Sequence, residues 1–148
     1  GSLTLLGAVG LRIPEHPVTD LFFLKPHEIP PVLFSDPAKA AEMFPPGEPD
    51  IDTILAAYKD QTALARFGWV PFLNNPKLER RLKRITAPTL VAWAEKDALV
   101  PIEHGRRYAE RIPGARFEVV DDCGHAMYFE RPAEFADVVM GFLSGVSR

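Results

Sequence analysis

An aspartate and a histidine near the carboxyl end of the chain have the residue types of an acid–base pair. Asp97 follows the apolar run of residues 89–93, and His125 follows the alternating run of residues 116–120. A carboxylate that binds one nitrogen of a histidine fixes the tautomer of the ring and stabilises the imidazolium, so the other nitrogen can act as a general base. If the two runs are neighbouring strands of a parallel sheet, both side chains emerge at the same edge. The spacing is compatible with the base and the acid of a nucleophile–histidine–acid triad. By itself it leaves a second interpretation open, a capping aspartate and an unrelated surface histidine.

The nucleophile of such a triad has no candidate in the sequence. No Gly-x-Ser-x-Gly motif occurs, and no strand-to-helix turn is predicted at any serine, namely Ser2, Ser35, Ser144 and Ser147. Cys123 lies close to His125, but the turn between them disfavours a productive thiol–imidazole geometry. We expect Cys123 to be a small buried residue behind the histidine loop, because free cysteines are more often buried than reactive. The chain alone is therefore expected to be inactive by a triad mechanism.

Three short runs of residues have the patterns of β-strands. The run that begins at Leu3 and ends at Val9 and the run of residues 89–93 are almost wholly apolar, which is typical of strands buried on both faces of a parallel sheet. Residues 116–120 alternate, which favours a half-exposed strand nearer the sheet edge. Helices are predicted at residues 36–44, 50–67, 103–112 and 132–143, and a basic helix opens at residues 75–76. Asp36 and Asp50 are predicted to cap the first two, and the apolar residues of 51–58 fall on one face of the second. Strands that alternate with helices imply an α/β fold with a parallel sheet and right-handed crossovers.

The order of these elements divides the chain into three segments. Residues 1–14 carry the first core strand, residues 15–85 form an inserted helical lid, and residues 86–148 form a carboxy-terminal core with the acid and the histidine. An insertion of this length is expected to lie above the carboxyl ends of the strands, where open α/β sheets place their sites.

Apolar side chains near the pair are candidates for contact with a small apolar substrate. Leu99 and Met127 come just beyond the acid and the histidine, and these positions favour the wall of a pocket. Trp69 belongs to the lid, where it either packs in the core of the lid or lines the same pocket. The sequence leaves both roles of Trp69 open.

Composition and charge exclude several other classes of function. The chain has 148 residues, is 47% hydrophobic and 25% charged, and carries a formal net charge of -3, so neither nucleic acid nor an anionic membrane is an expected partner. Basic residues cluster at 77–84, but apolar residues interleave with them at helical spacing, which is typical of a solvated helix face. A single cysteine excludes an internal disulfide and agrees with a cytoplasmic protein. No metal or cofactor is expected, because His16, His27 and His104 lack the spacing of metal ligands, and His104, at a predicted helix start, is expected to be exposed.

From residue 85 to residue 143 the chain resembles the α/β-hydrolase superfamily. The matching motifs are Ile85-Thr86-Ala87-Pro88-Thr89-Leu90-Val91, Lys96-Asp97 with Val100-Pro101, Ile112-Pro113-Gly114-Ala115, Cys123-Gly124-His125, Glu130-Arg131-Pro132 and Gly141-Phe142-Leu143. Their shared order and spacing are more specific than any single motif. The triad order in that superfamily is nucleophile, acid, histidine, so the resemblance implies that Asp97 is the triad acid and His125 the base. The lid segment is loosely similar to lids of the esterase-like and carbon–carbon-bond hydrolase branches.

The resemblance implies a partial α/β-hydrolase fold, with three parallel strands, flanking helices and an inserted helical lid. The chain would be the carboxy-terminal half of a hydrolase, and the half with the nucleophile and the oxyanion hole would be absent. The intact enzyme would cleave an ester-like or related bond of a small apolar substrate without a cofactor. Its nucleophile could be serine, aspartate or cysteine, since all three occur in families with this resemblance.

A second hypothesis is a non-catalytic, truncated module that self-associates. The run from Leu3 to Val9 resembles the sixth strand of the superfamily, whose neighbour would then be missing. An unpaired apolar edge strand is a template for association. We expect this edge to pair with the N-terminal half of the hydrolase or with a second copy of the chain.

Overall fold

The fold contains a three-stranded sheet with a buried middle strand. In the computed structural model, which describes residues 1–69 and 72–146, three parallel strands lie in the order β1 (Leu3–Leu6), β2 (Thr89–Ala94) and β3 (Arg116–Val120). Every residue of β2 is buried, as expected for an apolar run between two neighbours. The predicted α/β fold with a parallel sheet is confirmed.

The first strand is shorter than the sequence pattern predicts. It ends at Leu6 rather than at Val9, since Gly7 turns the chain with a left-handed φ of +49°. The strand is also only half-buried, and Leu6 is 40% exposed. In the described part of the chain β1 pairs with β2 alone, so its other edge carries no partner strand. The prediction that both faces of this strand are buried was therefore wrong.

Helices flank the sheet and fill the long connection between β1 and β2. They are a 3-10 helix at Pro26–Glu28, α1 (Pro30–Leu33), α2 (Pro37–Met43), α3 (Ile51–Gly68), α4 (Leu78–Leu82), α5 (Ile102–Arg111), α6 (Met127–Glu130) and α7 (Pro132–Val146). Asp36 and Asp50 cap α2 and α3 as predicted, because their carboxylates accept hydrogen bonds from Ala38 N at 2.8 Å and Thr53 N at 2.7 Å. The basic helix begins later than expected, at Leu78.

The side chains of β2 form a core on both sides of the sheet. Val91 and Trp93 pack with Tyr108 and Ile112 of the α5 region, whereas Leu90 and Ala92 pack with Phe142 of α7. This division follows from the strand geometry, in which alternate side chains point to opposite faces. The helices α5 and α7 therefore cover opposite faces of β2.

His104 is buried, contrary to the expectation that it would be exposed. The residue is 1% exposed, and its Nε2 lies 2.8 Å from the carbonyl oxygen of His16. A carbonyl only accepts, so Nε2 carries the proton. The backbone of the lid thus supplies the polar partner that allows this histidine into the core.

The apolar side chains on one face of the lid helix α3 are exposed to solvent. This apolar stripe falls on one face as predicted, but its members are exposed: Ile51 by 74%, Ile54 by 51%, Leu55 by 49% and Tyr58 by 68%. No helix in the described part of the chain is long and apolar enough to cross a membrane.

Candidate active site

The structure brings Asp97 and His125 together at the carboxyl ends of β2 and β3. His125 Nδ1 lies 2.9 Å from Asp97 Oδ2. The Asp97 side chain is 0% exposed and the His125 side chain is 25% exposed. Because β2 and β3 are parallel neighbours, the loops that follow them leave the sheet side by side. The pair therefore has a buried acid and a histidine that solvent or a ligand can reach.

The turn that follows β2 fixes the orientation of the carboxylate. Asp97 Oδ1 accepts hydrogen bonds from Leu99 N at 3.0 Å and from Val100 N at 2.8 Å, which leaves Oδ2 for the histidine. A carboxylate can only accept, so Nδ1 of His125 carries the proton and Nε2 of the neutral ring is an acceptor. In the described part of the chain Nε2 has no hydrogen-bond partner. This is the tautomer that a general base needs.

A network of hydrogen bonds ties the two loops to each other. Lys96 N donates to Cys123 O at 3.0 Å, and Asp122 N donates to a carboxylate oxygen of Glu95 at 2.9 Å. The Asp122 carboxylate, in turn, binds the side chains of Lys96 and Arg131. The bond from Lys96 is the largest cause that lowers the pKa of Asp122. The backbone hydrogen bond between Lys96 and Cys123 thereby joins the acid loop to the histidine loop, and the ion pairs of Asp122 lie on the exposed surface beside it.

Gly7 completes the back of the pair and was missed by the sequence interpretation. A Cβ atom at this position would lie 2.8 Å from His125 Cε1 and 3.0 Å from His125 Nδ1, so only glycine allows this close approach. Its φ of +49° is also a conformation that favours glycine. The signal in the sequence was the glycine near the end of the first apolar run. It was missed because the predicted strand was extended past Gly7 to Val9.

We expect Gly7→Ala to push His125 away from Asp97. Its Cβ would meet the imidazole at a distance that carbon atoms do not adopt, and a displacement of this size can cost about a hundredfold in rate. The matched control is Gly114→Ala, since Gly114 has a φ of +72° and open space around its Cα. Both variants carry the backbone strain, but only the first touches the histidine. The measurement is the NMR signal of the His125 Nδ1 proton, and equal spectra for the two variants would contradict the prediction.

Cys123 is a buried thiol, as expected. It is 0% exposed and donates to Val120 O at 3.2 Å. Burial is the main cause that raises the pKa of this thiol from 9.0 to about 12. The protonated thiol at neutral pH is a poor nucleophile, which excludes a cysteine–histidine mechanism at this position.

The raised pKa of Cys123 makes stability fall at alkaline pH. The unfolded chain releases the thiol proton near pH 9, whereas the folded chain keeps it up to about pH 12. The unfolded state thus binds fewer protons in this window, and the free energy of unfolding decreases as the pH rises through it. We expect Cys123→Ala to have a shallower decline between pH 9 and 12 than the parent chain in urea titrations. Parallel declines would show that the thiol does not contribute.

The predicted substrate residues differ in their exposure. Leu99 and Met127 are 6% and 1% exposed and pack in two hydrophobic clusters. Their contact with a substrate stays a prediction. Trp69 is 56% exposed and stacks on Phe22 at 5.2 Å between ring centroids. It lines a cavity of about 270 Å³ with Phe22 and neighbouring residues of α3.

Two serines among the described residues bind groups other than His125. Ser35 Oγ donates to Glu130 at 3.0 Å, and Ser144 Oγ donates to Gly141 O at 3.1 Å. Ser2 lies beside β1, and Ser147 lies outside the described residues. Residues 1–69 and 72–146 also contain no cluster of side chains that could hold a metal ion.

Nearly the whole chain matches the model of one protein family, and about half of it matches individual curated proteins. The sequence model of the alpha/beta hydrolase family matches residues 2–138. A 2-hydroxy-6-oxononadienedioate/2-hydroxy-6-oxononatrienedioate hydrolase of Klebsiella pneumoniae is 36% identical over 69 residues, which are 47% of this chain and 24% of that protein. A 2-hydroxy-6-oxo-6-phenylhexa-2,4-dienoate hydrolase of Comamonas testosteroni is 40% identical over 71 residues, which are 48% of this chain and 25% of that protein. The chain thus spans about a quarter of the length of these curated relatives.

Solved structures share the fold. A meta-cleavage product hydrolase from Pseudomonas fluorescens IP01 superposes with a TM-score of 0.70 at 18% identity, over 99% of this chain and 56% of that chain. A serine hydrolase involved in carbazole degradation superposes with a TM-score of 0.65 at 22% identity, over 97% of this chain and 54% of that chain.

Proposed function

Since this chain belongs to the alpha/beta hydrolase family, we propose that it supplies the acid and the base of a hydrolytic triad to a nucleophile on another polypeptide segment. Asp97 is the acid and His125 the base. The observation that carries the proposal is the 2.9 Å contact between His125 Nδ1 and the buried Asp97 carboxylate, which leaves Nε2 free to accept a proton. The partner segment would carry the nucleophile and the oxyanion hole.

The proposed mechanism is acyl transfer. The nucleophile attacks the carbonyl carbon of an ester while His125 Nε2 takes the proton from the nucleophile, and Asp97 stabilises the imidazolium. The tetrahedral intermediate collapses, the carbon–oxygen bond of the leaving group breaks, and the imidazolium gives its proton to the leaving alcohol. A water molecule then attacks the acyl group while His125 takes its proton. The bond between the acyl group and the nucleophile breaks, the imidazolium returns the proton to the nucleophile, and the acid product leaves.

The proposed substrate is a small, fairly apolar molecule with an ester-like or related bond. Two relatives are named as hydrolases of 2-hydroxy-6-oxo acids, so an acid of that type is a second substrate class to test. The cavity of about 270 Å³ beside Trp69 has aromatic walls that suit an apolar group. Of the predicted substrate contacts, Trp69 is the one that we retain in this proposal.

The test is complementation. The chain is co-expressed with the preceding portion of the Comamonas relative and assayed on p-nitrophenyl butyrate and on 2-hydroxy-6-oxo-6-phenylhexa-2,4-dienoate. We expect no turnover by the chain alone and turnover by the complex that His125→Ala abolishes. His27→Ala, an exposed histidine of the lid, is the matched control. A folded complex without activity, or turnover that survives His125→Ala, would overturn the proposal.

A second candidate function is self-association through β1. Leu3 N and Gly7 N donate towards the β2 side, to Pro88 O at 2.9 Å and Ala92 O at 3.3 Å. By alternation the N–H groups of Thr4 and Leu6 point away from β2, so the outer edge presents unpaired donors.

The oligomeric state discriminates this alternative. We expect a dimer in sedimentation for the parent chain and a monomer for Thr4→Pro, which removes an outward N–H but none that faces β2. Leu6→Lys is a second variant with the same expected result. A strict monomer for the parent chain would contradict self-association.

A further inference from the structure

Glu130 is a buried carboxylate that lies between the histidine loop and the lid. It is the last residue of α6 and is 7% exposed. We infer that Glu130 is a positioning residue, which holds the loop of His125 against Ser35 and the N-cap residue Asp36 of α2 and so keeps the imidazole in reach of Asp97. This inference rests on the proposed function, because it assigns a role towards the base of the triad.

The two oxygens of Glu130 bind different parts of the chain. Oε1 accepts from the lid, namely from Ser35 N at 2.9 Å, Ser35 Oγ at 3.0 Å and Asp36 N at 2.7 Å. Oε2 accepts from Gly124 N, the residue that precedes His125. Hydrogen bonds from N–H groups to a carboxylate are stronger than bonds between neutral groups. A single side chain thus anchors two segments that are far apart in the sequence.

The same two segments also meet backbone to backbone. Ala126 N donates to Leu33 O at 2.9 Å. A Cβ atom at Gly124 would lie 2.7 Å from Ser35 N and 2.8 Å from Leu33 O, so the absence of a side chain there permits the approach. His125 lies between Gly124, whose N–H binds Glu130, and Ala126, whose N–H binds Leu33 of the lid. Movement of the lid base must therefore move the histidine loop.

The lid segment that Glu130 binds also forms a wall of a cavity. Phe34 and Ser35 line a cavity of about 450 Å³ together with residues of α1 and α2. Phe34 packs edge-to-face on Phe129, the neighbour of Glu130, at 5.7 Å between ring centroids. The Glu130 carboxylate and the Phe34–Phe129 contact therefore both connect this wall of the cavity to the histidine loop.

Glutamine cannot replace Glu130, although it has almost the same shape. Each oxygen of Glu130 receives an N–H donor, and glutamine has only one oxygen to offer. In either orientation its amide nitrogen opposes a backbone N–H. Glu130→Gln therefore loses either the lid contact or the contact with Gly124.

The experiment compares Glu130→Gln with Glu134→Gln, an exposed glutamate of α7, in the chain labelled with nitrogen-15. We expect the amide of Gly124 or that of Asp36 to exchange at least about tenfold faster in Glu130→Gln, since the amide that faces the glutamine nitrogen loses its hydrogen bond. We also expect the Nδ1 proton signal of His125 to weaken or vanish. Glu134→Gln should leave both readouts at the values of the parent chain.

An unchanged His125 signal in folded Glu130→Gln would overturn the inference, even if the amides exchange faster, because Glu130 would then be structural only. If Glu130→Gln does not fold, Ser35→Ala replaces it, since that variant removes one donor to Oε1 and no charge. Its expected result is a weaker His125 signal, and an unchanged signal again overturns the inference. Failure of the proposed function is distinguishable: the His125 signal would respond to Glu130, but the complemented protein would have no hydrolytic activity.

Discussion

Asp97→Asn should lower kcat of the complemented enzyme about ten-thousand-fold with little change in KM. Asparagine keeps an oxygen for the amides of Leu99 and Val100, so the turn after β2 is expected to persist. Its amide group would then face His125 Nδ1 as a donor. The ring must accept at Nδ1 and carry its proton on Nε2, which is the wrong tautomer for a general base.

Asp122→Asn is the matched control for this prediction. Asp122 belongs to the same pair of loops but is exposed, and its carboxylate binds Lys96 and Arg131 on the surface. Exposed ion pairs contribute little, so we expect a less than about threefold change in kcat. The readouts are steady-state kinetics on p-nitrophenyl butyrate and the nitrogen-15 shifts of His125. A loss smaller than tenfold for Asp97→Asn would mean that Asp97 does not set the tautomer in the reaction.

Trp93→Ala should lower the free energy of unfolding by about 3–5 kcal/mol. Trp93 is 0% exposed in the middle of the core, and its Nε1 donates to Val100 O at 2.8 Å. Gly105 of α5 lies so close to the indole that a Cβ there would be 2.6 Å from Trp93 Cε3. Alanine would leave a cavity between β2 and α5 and an unpaired carbonyl at Val100. The turn that orients Asp97 is attached to this carbonyl, so the site should loosen as well.

Trp69→Ala provides the comparison within the same chain. Trp69 is 56% exposed, and substitutions of exposed side chains usually change stability by less than about 1 kcal/mol. Urea unfolding followed by circular dichroism measures both variants without relying on tryptophan fluorescence. Similar midpoints for the two variants would show that β2 is not the centre of the core.

The features that the sequence predicted depend on local patterns. The apolar run of β2, the N-caps Asp36 and Asp50, and the alternation in β3 are each readable from a few neighbouring residues, because strand burial and helix capping follow from period and residue type. The contact between Asp97 and His125 follows from these elements, since the loops after two parallel neighbours meet. Its catalytic role is still a prediction.

The features that the sequence did not predict depend on contacts between distant segments. His104 is buried because the carbonyl of His16 reaches its ring, and Gly7 lies behind His125 because β1 stops early. Leu99 and Met127 are core residues because the turns after β2 and β3 fold inward. The lid partners of Glu130 lie about a hundred residues away along the chain. No local pattern carries information of this kind.

The different separations of the strand pairs along the chain set an order for folding. The pairing of β2 with β3 closes over the short connection through α5, whereas β1 reaches β2 only after the whole lid has been traversed. Loop closure costs more entropy for the longer connection, and contacts between nearby segments form sooner. We therefore expect the unit from β2 to α6 to fold first and to bring the aspartate and the histidine together before β1 arrives. Gly7 would then dock against a base that is already assembled.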